Sequence, residues 1–148
     1  MLIEVKAKVA RNIDGKTRKR CETFVLDKEL FSEAEYTVMS YLTSEQEQSL
    51  IEEFDIISLK QSPIKEVAAQ FDGNYSFIAT LKDIWLETDG TEKSLKYKIL
   101  LWANDAASAT SNILQLARQG YDMQIEGIKQ VDYEYLSETI GNQEEANE

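Results

Sequence analysis

The densest run of reactive side chains in this chain is cationic. Lys16-Thr17-Arg18-Lys19-Arg20 places four cations in five residues, with Cys21 next. On a strand, Lys16, Arg18 and Arg20 share one face and Lys19 takes the other. Such a cluster either blunts a sheet edge or contacts phosphates together with Lys6, Lys8 and Arg11. Cys21 beside these cations is where a thiol ionises more readily, although an inert structural cysteine is the plainer reading. The aromatic candidates are Trp85, Trp102, Tyr133 and Tyr135. On an open sheet face they would stack bases or grip a partner protein. Asp132-Tyr133-Glu134-Tyr135 aims two carboxylates one way and two tyrosines the other, which also reads as half-buried tyrosines on a sheet.

Composition excludes most catalytic chemistry. There is no histidine, so Ser–His–Asp, Cys–His and two-His–carboxylate sites cannot form. One cysteine without histidine leaves no zinc site of the usual kind. No glycine-rich phosphate loop or dinucleotide fingerprint occurs. Acid–base work would fall to carboxylates, lysine or tyrosine, and the adjacent pairs Glu52-Glu53 and Glu144-Glu145 do not converge. The expectation is no catalytic residue, no metal and no cofactor.

The elements that position these residues follow from periodicity. Ile3, Val5, Ala7 and Val9 alternate with Glu4, Lys6 and Lys8 as a half-buried strand. Asp14-Gly15 turns it back, and the basic run opens a returning strand that reaches Leu26. Ser32-x-x-Glu35 reads as a capping box. Phe31, Ala34, Val38, Tyr41 and Leu42 then form one helical stripe. Ser44-x-x-Glu47 repeats the cap before a short second stripe of Leu50, Ile51 and Phe54. A third strand from Asp55 to about Gln61 stops at Ser62-Pro63.

Ile64, Val67, Ala68 and Phe71 predict a short connecting helix, and Asp72-Gly73-Asn74 a turn. Tyr75, Phe77, Ala79 and Leu81 alternate as a strand. Ile84 and Leu86 resume one residue out of phase, which predicts a bulge near Lys82–Asp83. That bulge puts Trp85, like Trp102, on the face away from the helices. Glu87-Thr88-Asp89-Gly90-Thr91 reads as a second turn, with Asp-Gly supplying positive φ angles, and Leu95, Tyr97, Ile99 and Leu101 mark the strand after it. Asn104-Asp105 starts a helix carrying Ala106, Ala109, Ile113, Leu116 and Ala117. Arg118 suits its last turn and Gly120 its stop. Met123 to Tyr135 closes as one more strand.

The two halves match. Asp14-Gly15 lies 75 residues before Asp89-Gly90. At that offset Phe24 meets Ile99, Leu26 meets Leu101, Ala34 meets Ala109 and Val38 meets Ile113. Ile56-Ile57-Ser58-Leu59-Lys60-Gln61 resembles Ile125-Glu126-Gly127-Ile128-Lys129-Gln130 at an offset of 69, which implies six extra residues in the first copy. The expected fold is α+β: two tandem, duplicated β-β-α-β units, an antiparallel sheet, and helices packed on one face. The expected boundaries are 1–61 and 75–136 for the units, 62–74 for a connecting helix and turn, and 137–148 for a disordered acidic tail.

The 148 residues suit one ordinary domain or two half-domains sharing a core. No apolar run approaches the ~18 residues a membrane helix needs, and no secretory segment opens the chain. With its single cysteine, the expected location is the cytoplasm, without membrane association. The net charge is −11, yet residues 1–20 carry +5, leaving −16 on the rest. Such acidity argues against indiscriminate nucleic-acid binding but leaves room for a local basic patch.

The two hairpins, the Pro63–Phe71 link and the tyrosine-rich closing strand together resemble a family catalogued as a domain of unknown function. That family is found in gut Bacteroidota and in their phages and mobile elements. The likeness covers nearly all of residues 1–136, including Phe31-Ser-Glu-Ala-Glu35 and Glu126-Gly-Ile-Lys129. It implies no assigned activity and transfers no functional residue.

Three functions stay open. The first is a non-enzymatic interaction or adaptor module with a protein partner, with a homodimer as one form of it. The second is a single-stranded nucleic-acid binder using the basic hairpin and an aromatic sheet face. The third is an enzyme confined to carboxylate and tyrosine chemistry.

Overall fold

Period-two alternation and two turns shape the first unit. The computed structural model describes residues 1–117 and 121–137. Strand β1 (Leu2–Ile13) and strand β2 (Lys16–Asp27) pair antiparallel without a break from Leu2↔Asp27 to Ile13↔Lys16. Asp14 (φ 50°) and Gly15 (φ 77°) make the two-residue turn, the left-handed pair that matches strand twist. Ile3, Val5, Ala7 and Val9 with Phe24 and Leu26 form the buried face. Helix α1 (Phe31–Glu47) lays Ala34, Val38 and Leu42 on it. Strand β3 (Ile51–Gln61) then pairs antiparallel with β1.

The helix departs from the sequence reading at both ends. Its N-cap is Leu30, without a side-chain cap bond, so Ser32 lies inside the helix. Ser44 caps nothing, because the buried stripe runs on through Glu45 in one continuous helix. Ser49, at φ 62°, ends the run, and Ile51 already belongs to β3, so no second short helix exists there.

The segment expected to be a connecting helix is strand β4 (Ile64–Ala68). Apolar residues at 64, 67 and 68 fit either period over so short a run. Pro63 would have suited the first turn of a helix, but β-branched Ile64 and Val67 favour an extended chain. Gly73 follows, where any Cβ would run into the backbone of Ala103.

Strand β5 (Tyr75–Leu86), strand β6 (Glu92–Ala103), helix α2 (Ala106–Leu114) and strand β7 (Asp122–Val131) build the second unit with β4. Asp105 caps α2 by accepting from the Ser108 N–H at 2.7 Å. The β5–β6 turn is Glu87–Thr91, where the sequence places it, with Gly90 at φ 88°. The Gly120 stop and Arg118 lie outside the described residues, as does the tail from Glu138 to Glu148. The core is Phe77, Ala79, Leu81, Tyr97, Ile99, Leu101, Ala109 and Ile113.

The expected closing strand is two strands. β7 pairs with β5, and after Asp132 the short strand β8 (Tyr133–Tyr135) lies parallel to β2. Tyr133 to Leu136 thus pack with residues 1–62 rather than with the second unit. The two sheets run β3-β1-β2-β8 and β7-β5-β6-β4. Each has three antiparallel strands and one parallel edge strand, β8 beside β2 and β4 beside β6, so neither sheet is purely antiparallel. In each, the edge strand is supplied by chain that has just left the other sheet.

The registers agree in part: β1 has a further shift against β3, between Ala10 and Arg11, without a counterpart in the β5–β7 pairing. Val5↔Phe24 corresponds to Ala79↔Ile99. The shift between Lys6 and Ala7 against β3 recurs between Thr80 and Leu81 against β7. The β5–β6 pairing is unbroken, so the bulge expected at Lys82–Asp83 is absent. Trp85 therefore stays in phase with Phe77, Ala79 and Leu81, on the helix-bearing face.

Candidate functional site

The basic run sits where the sequence places it, on β2 just past the turn. Lys16, Arg18 and Arg20 oppose Ile13, Arg11 and Val9 on the helix-bearing face, and Lys19 opposes Ala10 on the other. All four are exposed. Arg20 Nε donates to Glu22 at 2.9 Å. Lys16, Arg18 and Lys19 have no ion pair among the described residues. Cys21 is exposed, opposite Lys8. Lys19 also borders a shallow depression lined by Lys8, Ala10, Glu53 and Asp55.

Arg11 is not available to a phosphate. It is half-buried at the end of the β1 core stripe, in phase with Val9. Its Nε and Nη2 donate to the two Glu22 oxygens at 2.7 Å each, and its Nη1 donates to Glu45 of α1 at 2.9 Å. These bonds hold the guanidinium charged well above its ordinary range. Burial alone would raise the Glu22 carboxyl, but the bonds from Arg11 and Arg20 more than offset it and leave it below the usual value. Burial first, then the charges of Glu134 and Glu45, push the Tyr41 hydroxyl up. Desolvation raises the Glu134 carboxyl, against a hydrogen bond from Tyr41 that lowers it. This polar group joins β1, β2, α1 and β8. A signal for it was present: Arg11, Glu22 and Glu45 are charged residues in phase with core stripes.

In the second unit the matching positions are aromatic. Four residues beyond the shared register shift lie Arg11 in one unit and Trp85 in the other; opposite the shift lie Glu22 and Tyr97. Tyr97 donates to buried Asp83 at 2.9 Å, and Lys65 Nζ lies 4.6 Å over its ring. Trp85 packs edge-on against Tyr121 at 5.4 Å between centroids. The α1 helix reaches Arg11 through Glu45, but α2 stops at Leu114, and among the described residues no helix covers the hairpin beyond it. Leu95 is 47% exposed there and Tyr121 40%.

The four aromatic candidates do not make one platform. Trp102 opposes Ser76 on the face away from α2, and Trp85 is on the face that α2 covers. Tyr133 and Tyr135 flank Thr23 and Val25 in the first unit, half-buried. Among the described residues, no group of three or more His, Cys, Asp or Glu side chains could hold a metal ion.

Two small α+β units, one with an ionic cluster and one with an aromatic patch in its place, define the class. The chain belongs to the family described as Domain of unknown function (DUF4494), which matches residues 2–136. No curated protein and no solved structure matches it significantly. Among the described residues no helix is long and apolar enough to cross a membrane.

Proposed function

We propose that this protein is a non-enzymatic interaction module of the cytoplasm that binds a partner protein through the hairpin end of its second unit. The observation that carries this reading is the open cluster of Trp85, Leu95 and Tyr121 beside the short α2. Tryptophan and tyrosine packed together, with an exposed leucine and charged Glu92, Lys93 and Asp122 nearby, match the aromatic centre and polar rim of binding surfaces. The ionic cluster suits structure better than catalysis, because Arg11 and Arg20 already occupy both oxygens of Glu22.

We also infer that the two units descend from one duplicated β-β-α-β-β ancestor, which has been followed by divergence. The common register shift and the buried pairs Ala34/Ala109 and Val38/Ile113 support it. Carriage by a phage or mobile element fits the same reading of the family.

The test is affinity capture from the native host with wild type and a Trp85→Ser/Leu95→Ser variant whose melting is checked first. A partner enriched by wild type and lost with the folded variant is expected. Identical capture profiles would remove the reading. A homodimer is one form of it, seen as a concentration-dependent sedimentation coefficient that the variant abolishes.

The exposed cations on β2 favour single-stranded nucleic acid as the second reading. Neutralising about three phosphates would give a log–log salt slope near −2. Absence of binding to labelled single-stranded DNA and RNA at low salt would eliminate it.

A further inference from the structure

The first unit has an edge that its own fourth strand covers only in part. β8 pairs with Thr23, Phe24 and Val25 alone. From Lys16 to Glu22 the outer side of β2 has no partner strand among the described residues. Which backbone groups face outward follows from one bond. Leu136 N–H donates to the Val25 carbonyl at 3.0 Å, on the side away from β1. In an antiparallel pair, alternate residues turn both N–H and C=O toward the same side. Val25 faces outward, so Thr23, Cys21, Lys19 and Thr17 do as well. Three of these, Thr17, Lys19 and Cys21, lie on the uncovered stretch.

We propose that this open edge, Lys16 to Cys21, is a strand-addition site for an acidic extended peptide of a partner protein.

Edges that must stay unpaired are commonly bulged, interrupted by proline or very short. This one is straight: β1 and β2 pair through twelve residues without a register shift. Among the described residues charge is the one blunting device on this stretch, and it selects rather than repels. Lys16 to Cys21 contains four cations and no acid, in a chain of net charge −11. A peptide added here would find Lys16 and Arg18 beside its side chains on one face and Lys19 on the other. Main-chain bonds would supply affinity and the flanking cations the preference for acidic residues. The edge already accepts a strand in this fold, since β8 lies on it immediately downstream.

The second unit provides the contrast. β4 pairs with β6 from Lys98 to Leu101, so among the described residues β6 has no partner strand on that side from Glu92 to Tyr97 either. There the charges are mixed, and Lys96 is 3.2 Å from Glu126. The basic edge is thus a feature of the first unit rather than of the fold. Nucleic acid fits it less well: phosphates would leave the outward amides of Thr17, Lys19 and Cys21 unpaired, and both tryptophans belong to the other unit.

The test uses the full chain and a fluorescein-labelled peptide of four Glu-Val repeats, read by anisotropy at low salt. Its mate carries N-methyl groups at alternate residues, which keeps the charge and removes strand pairing. Wild type should bind the plain peptide at least about tenfold more tightly than the methylated one, since each lost tenfold is about 1.4 kcal/mol. A Lys16→Gln/Arg18→Gln/Lys19→Gln variant, which spares the Glu22 partners, should lose a similar factor. Amide exchange at Thr17, Lys19 and Cys21 should slow on binding. Equal binding of both peptides would reduce the site to charge alone and overturn the proposal. So would no binding, or tighter binding of oligo-dT than of the peptide. Binding only after residues 138–148 are removed would make the chain's own acidic segment the occupant and would equally overturn it.

Discussion

Arg11 and Trp85 occupy matching places, and the difference between them is the main difference between the units. Arg11 is satisfied on both sides by carboxylates that are themselves largely buried, with 10% and 12% side-chain exposure for Glu22 and Glu45. Removing one partner leaves the others desolvated and unpaired, which costs more than the pair contributes. Glu22→Gln should therefore destabilise the first unit by about 2 kcal/mol, a fall in its melting temperature of about 8–16 °C. The pH dependence has two signs. The Glu22 carboxyl is held below its unfolded value, so its contribution is full above about pH 4.3 and is lost as pH falls through the folded value. The Glu134 carboxyl is held above its unfolded value, so its contribution is full when protonated and is lost as pH rises through the folded value. Thermal melts from pH 3 to 8 should show the Glu22→Gln deficit shrinking toward acid. Glu134→Gln should melt no lower than wild type at neutral pH. A Glu134→Gln protein that melts lower at pH 7 would contradict this account of the cluster.

At the scale of elements, Gly73 and Asn74 deliver the chain into β5. The Asn74 N–H donates to the Asn104 side chain at 3.1 Å, while Gly73 meets the backbone of Ala103 directly. Gly73→Ala should cost about 1–3 kcal/mol by overpacking, read as a lower denaturation midpoint with an unchanged slope. An unchanged midpoint would mean the turn relaxes freely. The hairpins, both main helices and the stripes Ala34/Val38 and Ala109/Ile113 were legible in the sequence, because local periodicity and Asp-Gly turns determine them. The helix ends were less so: Ser32 and Ser44 carry cap signatures, yet burial of Ala34 through Glu45 in one stripe outweighs them. β4 was not legible as a strand, and β8 was legible only as the end of the closing strand, not as a separate strand beside β2. Each is three to five residues long and takes its partner far along the chain, beside β6 and β2. No local pattern encodes that choice. Trp85 was misplaced for a related reason: apolar Ile84 and Leu86 mimic a phase change, whereas buried Asp83, bonded to Tyr97, keeps the true phase.

For the whole molecule, the charge of −11 and the aromatic patch pull in different directions. A net charge of this size repels polyanions, and the two proposed partner contacts are the patch at Trp85 and the basic edge of β2. The helices account for the asymmetry. Seventeen residues in α1 reach the hairpin end of the first unit, and the nine of α2 stop short of the corresponding end of the second. The sequence held the extra length but not its consequence, because covering a hairpin end is a tertiary event. The most direct test is site-specific photo-crosslinking in the native host, with the photoreactive residue at Leu95 or, as control, at Tyr36 on α1, which is 74% exposed. A discrete protein adduct at Leu95 and none at Tyr36 is the predicted result. No adduct at Leu95, or the same adducts at both positions, would contradict the assignment of the patch as the binding surface.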